Sequence, residues 1–338
     1  MQSLRELEEE LVKPSQALIN DLREIAGDIV ILGVGGKMGP SLAKLAKRAA
    51  EAAGIHKRII GVSRFSEKGL QEELEAAGIE THAADLLNED ELAKVPEAAN
   101  VLYLAGTKFG TTGKESFTWA MNTYLPGRVA ERYKHSRIVA FSTGNVYPFT
   151  SVASGGPSED HPTGPIGEYG QSCLGRERVF QYFSTHYNIP TLIYRLNYAI
   201  DLRYGVLLEV AKAVNEQRPI DLTTGNVNVI WQGDANEIAL RALRHCEVPA
   251  KLLNVTGPET VSIQWLAEQF GKLLGKTPVF INQVQPTALL SNASQAHRLF
   301  GYPRVTLRQM IELTIAWLTQ GGKTINKPTH FQERNGQF

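Results

Sequence analysis

Apolar residues follow two alternating patterns along most of the chain. Short, continuously apolar runs predict buried strands, and the stretches between them carry apolar residues at helical spacing, notably over 114–134 and 168–187. The predicted strands span residues 28–32, 58–62, 100–106, 137–143 and 191–196. Strands that alternate with helices form parallel sheets whose two faces are covered. The pattern therefore predicts an α/β fold built on a doubly wound parallel sheet.

The pattern changes at both ends of this region. Residues 3–26 carry leucine and isoleucine at helical spacing around Pro14, which predicts one or two amphipathic helices. After about residue 200 the spacing is mainly helical, with short strands near 228–231 and 252–255. We therefore expect a smaller, α-rich lobe after the sheet domain.

These changes divide the chain into segments. We expect an N-terminal helical extension, a sheet domain, an α-rich substrate lobe and a C-terminal tail, which span residues 1–27, 28–200, 201–325 and 326–338. Residues 228–258 are a candidate for returning to the sheet domain. Since no linker rich in proline, glycine or serine separates the domain from the lobe, we expect the two to pack as one body.

Composition narrows the class of protein. The 338 residues carry 35 basic and 35 acidic side chains, and this zero net charge argues against a nucleic-acid or membrane-surface partner. No apolar run approaches the roughly 20 residues that span a bilayer, and the acidic start lacks the apolar core of a signal peptide. Cys173 and Cys246 offer no disulfide framework, which predicts a cytoplasmic protein. The eight histidines show no paired ligand spacing, so we expect no metal site.

The segment "LGVGGKMG", residues 32–39, joins the first predicted strand to a helix. Glycine permits a tight turn and lets backbone N–H groups approach a pyrophosphate, while the helix N-terminus adds a favourable dipole. This context predicts a dinucleotide site that includes Gly33, Gly36, Lys37, Met38 and Gly39. The alternative is a glycine-rich turn that binds no ligand.

The end of the second predicted strand bears on the choice of cofactor. NAD-selective sites place an aspartate or glutamate there, which accepts hydrogen bonds from the ribose. Here the strand ends in "GVSRF", with Ser63 and Arg64, and an arginine can pair with a 2′-phosphate. Lys37 adds a second cation nearby. We therefore expect NADP, with NAD as the alternative if Arg64 is an ordinary solvated residue.

From about residue 28 to residue 318, these and other stretches resemble the extended short-chain dehydrogenase/reductase family, in its NAD-dependent epimerase/dehydratase group. Gly33, Gly36 and Gly39 match the Gly-x-x-Gly-x-x-Gly pattern of the family. "ADLLN" resembles a motif that implies that Asp85 and Leu86 flank the adenine. "LYLAG" resembles the fourth-strand segment that runs behind the cofactor, which implies contacts from Ala105 and Gly106. The resemblance implies a Rossmann-like fold.

The same resemblance implies a catalytic set. "GEYGQSCLGRERVF" resembles the catalytic helix and makes Tyr169 the acid/base, while "FSTGNVY" places Thr143 as the hydroxyl that polarises the substrate oxygen. Asn122 matches the helix asparagine of the family. In that family a lysine four residues after the tyrosine lowers the tyrosine pKa, and Cys173 stands at that position here. A cysteine supplies no positive charge, so this chain is an atypical member.

The missing charge has candidate replacements. Lys108, in "AGTKFG" after the fourth predicted strand, would pass near the nicotinamide. Arg176 lies two helical turns beyond Tyr169, where we expect it to pair with a carboxylate. Carbonyl reduction is also consistent with the loss, because a neutral tyrosine is then the correct general acid. We favour Lys108 and reduction; the alternative is a dinucleotide-binding sensor or scaffold without turnover.

The substrate is expected to be small. Nucleotide-sugar members of the family place an arginine beside a stretch that corresponds to "GNVNVIWQGDAN", which contains none. The resemblance therefore implies a free sugar, sugar acid, polyol or carbonyl compound. The candidate contacts from the lobe are Asn197, Tyr198, Arg203, Tyr204 and Trp231. Aromatic residues at such positions are also common in cores, which is the alternative for them.

The resemblance also concerns assembly. It implies a homodimer formed through the helical segments 114–134 and 168–187. The tail carries Pro328, His330, Phe331 and Phe338, which predicts docking over the cleft or onto a partner subunit. A mobile terminus is the alternative for these residues.

Overall fold

The computed structural model describes residues 3–108, 112–325 and 329–337. Within these residues, seven parallel strands form a central sheet. In chain order, β1 to β7 are Ile29–Leu32, Ile59–Ser63, Glu80–Ala83, Asn100–Tyr103, Arg137–Thr143, Thr191–Leu196 and Lys251–Val255. Their order across the sheet is β3-β2-β1-β4-β5-β6-β7, so the direction of winding reverses between β1 and β4. This is the predicted Rossmann-like, doubly wound fold, which is confirmed.

The helices connect these strands and build the lobe. In chain order, α1 to α13 are Leu4–Glu9, Gln16–Glu24, Gly39–Ala52, Leu70–Ala76, Glu89–Lys94, Glu115–Trp119, Leu125–Arg132, Gly167–Tyr187, Val206–Asn215, Gln232–Arg241, Ile263–Leu274, Ser294–Phe300 and Leu307–Thr319. A π-helical turn, Ala120–Tyr124, joins α6 to α7 within the predicted segment 114–134. Asn188 ends α8 in the left-handed conformation.

Both faces of the sheet are covered. Successive residues of a strand point to opposite faces, so the continuous apolar run of β1 buries every side chain. Ile29 and Ile31 join a cluster that includes residues of α2, α3 and α10. Val30 and Leu32 join the opposite cluster, with residues of α5, α7 and α8. A parallel sheet covered in this way leaves the carboxyl edge of its strands as the place for a ligand.

The α-rich lobe has its own apolar core. It is built from α9, α11 and α13, and both chain ends contribute to it, through Leu7 of the N-terminal extension and Phe331 of the tail. Short strands of two residues support the lobe and its junctions: Thr150–Ser151, Ala199–Ile200, Ile220–Asp221, Asn226–Val227, Ile230–Trp231, Val261–Ser262, Phe280–Ile281 and Thr287–Ala288.

Packing contacts hold the N-terminal helices and the strand that returns to the sheet. Pro14 lies between α1 and α2, and α2 packs on α3 and α10 through Leu18 and Leu22. The strand β7, within the segment 228–258, lies at the edge of the main sheet beside β6. Over the described residues, no helix has the length and apolar character needed to cross a membrane.

Candidate functional site

A cleft of roughly 640 Å³ lies at the carboxyl edge of the sheet, between the sheet domain and the lobe. Its walls come from the segments that follow β1, β2, β4, β5 and β6, together with the start of α9. The lining residues are Gly35, Gly36, Lys37, Met38, Arg64, Leu104, Gly106, Thr107, Lys108, Phe141, Ser142, Thr143, Asn145, Tyr169, Leu196, Asn197, Tyr198, Ala199, Tyr204, Gly205, Val206, Gln232 and Thr329. The cleft therefore coincides with the reversal of strand order, where dinucleotides bind in such folds.

The glycine loop has the geometry of a phosphate cradle. Gly33 has a φ of +88°, and a Cβ there would lie 2.7 Å from the backbone nitrogen of Ala105. A Cβ on Gly39, the first residue of α3, would lie 2.1 Å from the carbonyl oxygen of Val34. Both positions therefore require glycine. At Gly36 a Cβ would meet only the carbonyl oxygen of Gly33, at 3.3 Å, so the bare backbone faces the open cleft, as a pyrophosphate requires.

The side chains predicted to contact the adenosine differ in their position relative to the cleft. Arg64 is exposed and lines the cleft just beyond β2. The Ser63 hydroxyl accepts a hydrogen bond from the N–H of Phe65 at 3.2 Å, so it shapes the turn rather than lining the cleft. Asp85 and Leu86 lie beyond the neighbouring β3, where Asp85 Oδ1 accepts from the N–H of Leu87 at 3.1 Å. No carboxylate follows β2 at the position that would select NAD.

Lys37 extends from the glycine loop to the lobe. Its Nζ lies 3.2 Å from the ring centroid of Tyr204, which precedes α9. Such a cation–π contact is favourable, and more so when it is partly desolvated. Burial raises the pKa of the Tyr204 phenol, as does the nearby Glu209 carboxylate, so the ring stays neutral. The contact holds the two sides of the cleft together above the phosphate cradle.

The predicted catalytic residues meet at the other end of the cleft. Tyr169, in the first turn of α8, and Thr143, at the end of β5, both line it. Burial raises the Tyr169 pKa well above its ordinary value, and Cys173 raises it further, whereas Arg176 and a hydrogen bond with Thr143 lower it. The Nζ of Lys108 lies 5.7 Å from the Tyr169 ring centroid. Burial lowers the pKa of Lys108 to about 8.

Asn122 positions the Lys108 loop rather than lining the cleft. It is fully buried in the π-helical turn, where its Oδ1 accepts from the N–H of Thr107 and its Nδ2 donates to the Thr107 carbonyl, both at 2.9 Å. Nδ2 also donates to the Ser172 hydroxyl of α8 at 3.0 Å. One side chain therefore connects the loop that follows β4 to the helix that carries Tyr169.

The prediction that Arg176 pairs with a carboxylate is wrong. Its guanidinium donates to the Asn122 Oδ1 at 2.7 Å and to the Phe141 carbonyl at 2.8 Å, and over the described residues its hydrogen-bond partners are such neutral oxygens. Nη2 would lie 2.3 Å from a Cβ on Gly106, so the charge sits directly behind the cleft wall. Helical side chains point towards the N-terminus, which returns this cation towards Cys173 and Tyr169. Two turns of separation in sequence therefore do not separate the charge from the phenol.

A buried ion pair, which the sequence did not reveal, supports this end of the cleft. Glu177 of α8 pairs with Arg195 of β6 at 2.7 Å, with 0% and 1% of their side chains exposed. The hydroxyl of Ser142, which lines the cleft beside Thr143, donates to Glu177 at 2.5 Å. Arg195 also donates to the Tyr147 hydroxyl at 2.6 Å. The sequence places Glu177 on the same helix as Tyr169, eight residues later, but it could not identify Arg195 as its partner.

The predicted substrate contacts divide into two groups. Asn197, Tyr198 and Tyr204 line the cleft on the lobe side. Trp231 does not: it is 1% exposed, packs in the lobe core and directs its indole N–H at the Glu10 carbonyl, so the predicted contact is wrong. Arg203 also lies outside the lining, because it forms an ion pair with Asp201 at 2.9 Å. Within the described ranges, no group of histidine, cysteine and carboxylate side chains could hold a metal ion.

The fold and this cleft define a Rossmann-like protein that binds a dinucleotide. The sequence model of the NAD dependent epimerase/dehydratase family matches residues 29–248, and the chain belongs to that family. The family is NAD-dependent and catalytic, so its members are enzymes that use a nicotinamide dinucleotide. The resemblance to extended short-chain dehydrogenases/reductases is thereby confirmed. A comparison with curated protein sequences finds no match.

Solved structures share the fold at low sequence identity. UDP-glucuronic acid 4-epimerase from Bacillus cereus, in complex with NAD, is 21% identical with a TM-score of 0.71, over 88% of this chain and 100% of that one. dTDP-glucose 4,6-dehydratase from Bacillus anthracis is 17% identical with a TM-score of 0.72, over 87% and 97%. UDP-glucose 4-epimerase from Thermus thermophilus is 16% identical with a TM-score of 0.68, over 86% and 98%. At these identities the likeness concerns the fold.

Proposed function

We propose that this protein is an NADP(H)-dependent oxidoreductase or epimerase-like enzyme that acts on a small carbohydrate-like alcohol or carbonyl compound. The observation that carries the proposal is the meeting of Tyr169 and Thr143 at one end of the cleft, with the Lys108 ammonium 5.7 Å from the tyrosine ring. The glycine cradle lies at the other end. Both cysteines are free, which favours a reducing cytoplasm as its location.

Carbonyl reduction is the direction that suits the tyrosine. Because burial raises the Tyr169 pKa, the phenol is protonated at neutral pH and serves as a general acid. The reduced nicotinamide supplies the hydride when it is bound. Side chains of this chain orient the substrate and supply the proton. Thr143 donates a hydrogen bond to the substrate oxygen, and Tyr169 transfers its proton to that oxygen. Lys108 and Arg176 then stabilise the phenolate that this transfer leaves.

The preference for NADP follows from charge at the adenosine end. Arg64 lines the cleft beyond β2, in a position where an NAD-selective protein has a carboxylate. A guanidinium binds a phosphate through paired, charge-assisted hydrogen bonds. Lys37 adds a second positive charge in the glycine loop. Gly106 of the cleft wall completes the proposed cofactor site, with the predicted contacts from Asp85, Leu86 and Ala105 lying outside the lining.

The homodimer is proposed from an apolar surface. The segments 114–134 and 168–187 enclose a groove of roughly 710 Å³ whose lining includes Trp119, Tyr124, Val179 and Phe183. Tyr124 and Tyr182 are 52% and 59% exposed, which is a large apolar exposure for two adjacent helical segments. A second copy of the same surface would cover it through a two-fold axis.

Substitution of the tyrosine tests the proposal. A panel of free aldoses, ketoses, sugar acids and polyols is assayed with NADP(H) and NAD(H) by nicotinamide absorbance. Tyr169→Phe removes the proton donor and is expected to lower kcat at least a hundredfold without weakening cofactor binding. Tyr302→Phe, at a tyrosine that is 73% exposed, is the matched control and should keep full activity. Turnover by Tyr169→Phe equal to wild type would refute the assignment.

A second function is favoured by one observation. Cys173 is buried in place of the family lysine and raises the pKa of Tyr169, which weakens any step that begins with proton removal. The protein would then bind the dinucleotide as a sensor or scaffold. Cofactor binding with no nicotinamide-linked turnover across the panel, in either direction, would establish this alternative.

A further inference from the structure

The described part of the C-terminal tail, residues 329–337, lies along the substrate side of the cleft. Thr329 is a lining residue, and both its N–H and its hydroxyl donate to the Glu209 carboxylate of α9, at 2.9 and 2.6 Å. Phe331 follows, with only 1% of its surface exposed, in the core of the lobe. Pro328 and Phe338, predicted to take part in docking, lie outside the described residues. This part of the tail is therefore anchored on its own chain.

The tail continues along the same side of the lobe. The Arg334 guanidinium donates to the carbonyl and to the hydroxyl of Thr287, at 2.9 and 2.7 Å. It also lies 4.1 Å from the ring centroid of Phe149, which comes from the segment after β5. Arg334 therefore joins the lobe to the segment that carries the residues after Thr143.

The last contact reaches the catalytic helix. Gly336 packs against Gly167, the first residue of α8, and a Cβ on Gly167 would lie 2.3 Å from the Gly336 carbonyl oxygen. Gly336 and Gly167 have positive φ values, of +77° and +74°. Both the close contact and this backbone conformation therefore favour glycine at the two positions. Gly167 precedes Tyr169 by two residues. The tail thus spans from α9 of the lobe to the start of the helix that bears the proposed acid.

The space inside this enclosure is limited. The cleft measures roughly 640 Å³, within the range of about 300–1,000 Å³ that serves a single ligand. A separate cavity of about 10 Å³ shares Asn145 with the cleft, and its lining includes Tyr147, Glu333 and Arg334. Tail residues therefore border this side of the cleft and leave little free volume beside Asn145.

We infer that residues 329–337 determine substrate size by closing the outer side of the cleft beside Tyr169. The substrate class is then an unconjugated polyol or carbonyl compound of about monosaccharide size, without a nucleoside diphosphate group. This inference rests on the proposed function and names the substrate class for that same site. The tail acts by steric exclusion, and no charge on it needs to titrate.

Binding of UDP-glucose to the NADP-loaded protein tests the inference by isothermal titration calorimetry. Wild type is compared with a variant that ends at Ile325. Wild type should show no binding at about 1 mM ligand, a concentration in the range of weak affinities. The shortened variant should bind with a Kd at least ten times lower than this concentration. Submillimolar binding by wild type overturns the inference, and so does failure of both proteins to bind.

A second variant covers the case in which the shortened chain does not fold. Arg334→Ala removes the contacts with Thr287 and Phe149 while Phe331 stays anchored, and it should admit UDP-glucose in the same way. Gln337→Ala, at an exposed position, is the control and should exclude UDP-glucose as wild type does. Circular dichroism confirms that each variant is folded. Exclusion by folded Arg334→Ala that equals wild type counts against the tail as the barrier.

The two proposals fail in different ways. Wild-type turnover of UDP-glucose with NADP would overturn the size limit and leave the oxidoreductase assignment intact. Absence of nicotinamide-linked turnover with every free sugar and polyol, while NADP binds, would overturn the proposed function. The calorimetric comparison of nucleotide-sugar binding needs no turnover, so its result stands in either case.

Discussion

Substitution of Lys108 is the most informative perturbation of the site. Its Nζ lies 5.7 Å from the Tyr169 ring centroid, and Asn122 fixes the neighbouring Thr107 by two backbone contacts. Lys108→Met keeps the length of the side chain and removes the charge. We expect the variant to fold and to bind cofactor, but to stabilise the phenolate less well after proton transfer.

The magnitude follows from Coulomb's law. With the 5.7 Å from Nζ to the ring centroid taken as the separation, two unit charges interact by about 3 kcal/mol at an effective dielectric constant of about 20, which corresponds to roughly a hundredfold in rate. The buried guanidinium of Arg176 remains in the variant, so a residual activity should persist. The assay is kcat/KM by nicotinamide absorbance, with the best substrate of the free-sugar panel.

The pH dependence of kcat/KM tests the direction of the effect of the Lys108 charge. The Lys108 pKa is about 8, so its charge is present below that pH and is lost as the pH rises through it. Wild-type kcat/KM for reduction should therefore fall near pH 8, Lys108→Met should lack this step, and Lys108→Arg should retain activity to higher pH. Lys114→Met, at an exposed lysine a few residues further along, is the control. A Lys108→Met profile that matches wild type in height and shape would refute the reasoning.

Other predictions concern the cofactor, the buried ion pair and the dimer. Arg64→Ala should lower the preference for NADP over NAD by about 1.5–3 kcal/mol, or roughly 10- to 150-fold, as measured by nicotinamide fluorescence titration; an unchanged preference excludes Arg64. Glu177→Gln should lower the free energy of unfolding by about 3–5 kcal/mol because it leaves the buried Arg195 uncompensated. The control Glu97→Gln breaks an ion pair whose glutamate is 84% exposed and should cost about 0–1 kcal/mol; equal urea midpoints for the two variants would contradict this. Val179→Arg should convert the proposed dimer to monomers in light scattering, and an undiminished mass would place the interface elsewhere.

Local sequence was sufficient for the parts of the protein that depend on short spacing. The apolar runs predicted β5 and β6 with their observed bounds, because a parallel strand buried on both faces is mostly apolar. The glycine loop was also predicted from local sequence, and the structure shows that Gly33 and Gly39 leave no room for a side chain. Tyr169 and Thr143 were identified by motif, and the fold brings them to the same end of one cleft.

Contacts between distant segments needed the tertiary structure. Helical spacing placed Arg176 two turns beyond Tyr169, but its guanidinium turns back to Asn122, which is 54 residues away in sequence. Trp231 was expected beside the substrate and is instead buried under the N-terminal extension. The sequence left both docking and a mobile terminus open for the tail, and the structure places Gly336 against Gly167.

The sequence by itself determined the alternation of strands and helices, the phosphate cradle and the loss of the family lysine at Cys173. Each of these depends on residues within a few positions of one another, where backbone geometry sets which side chains share a face. Only the tertiary structure decided which cations face Tyr169, which aromatic residues reach the cleft and where the tail docks. Those outcomes depend on which elements pack together, and the burial that drives packing is not directional, so local spacing does not encode them.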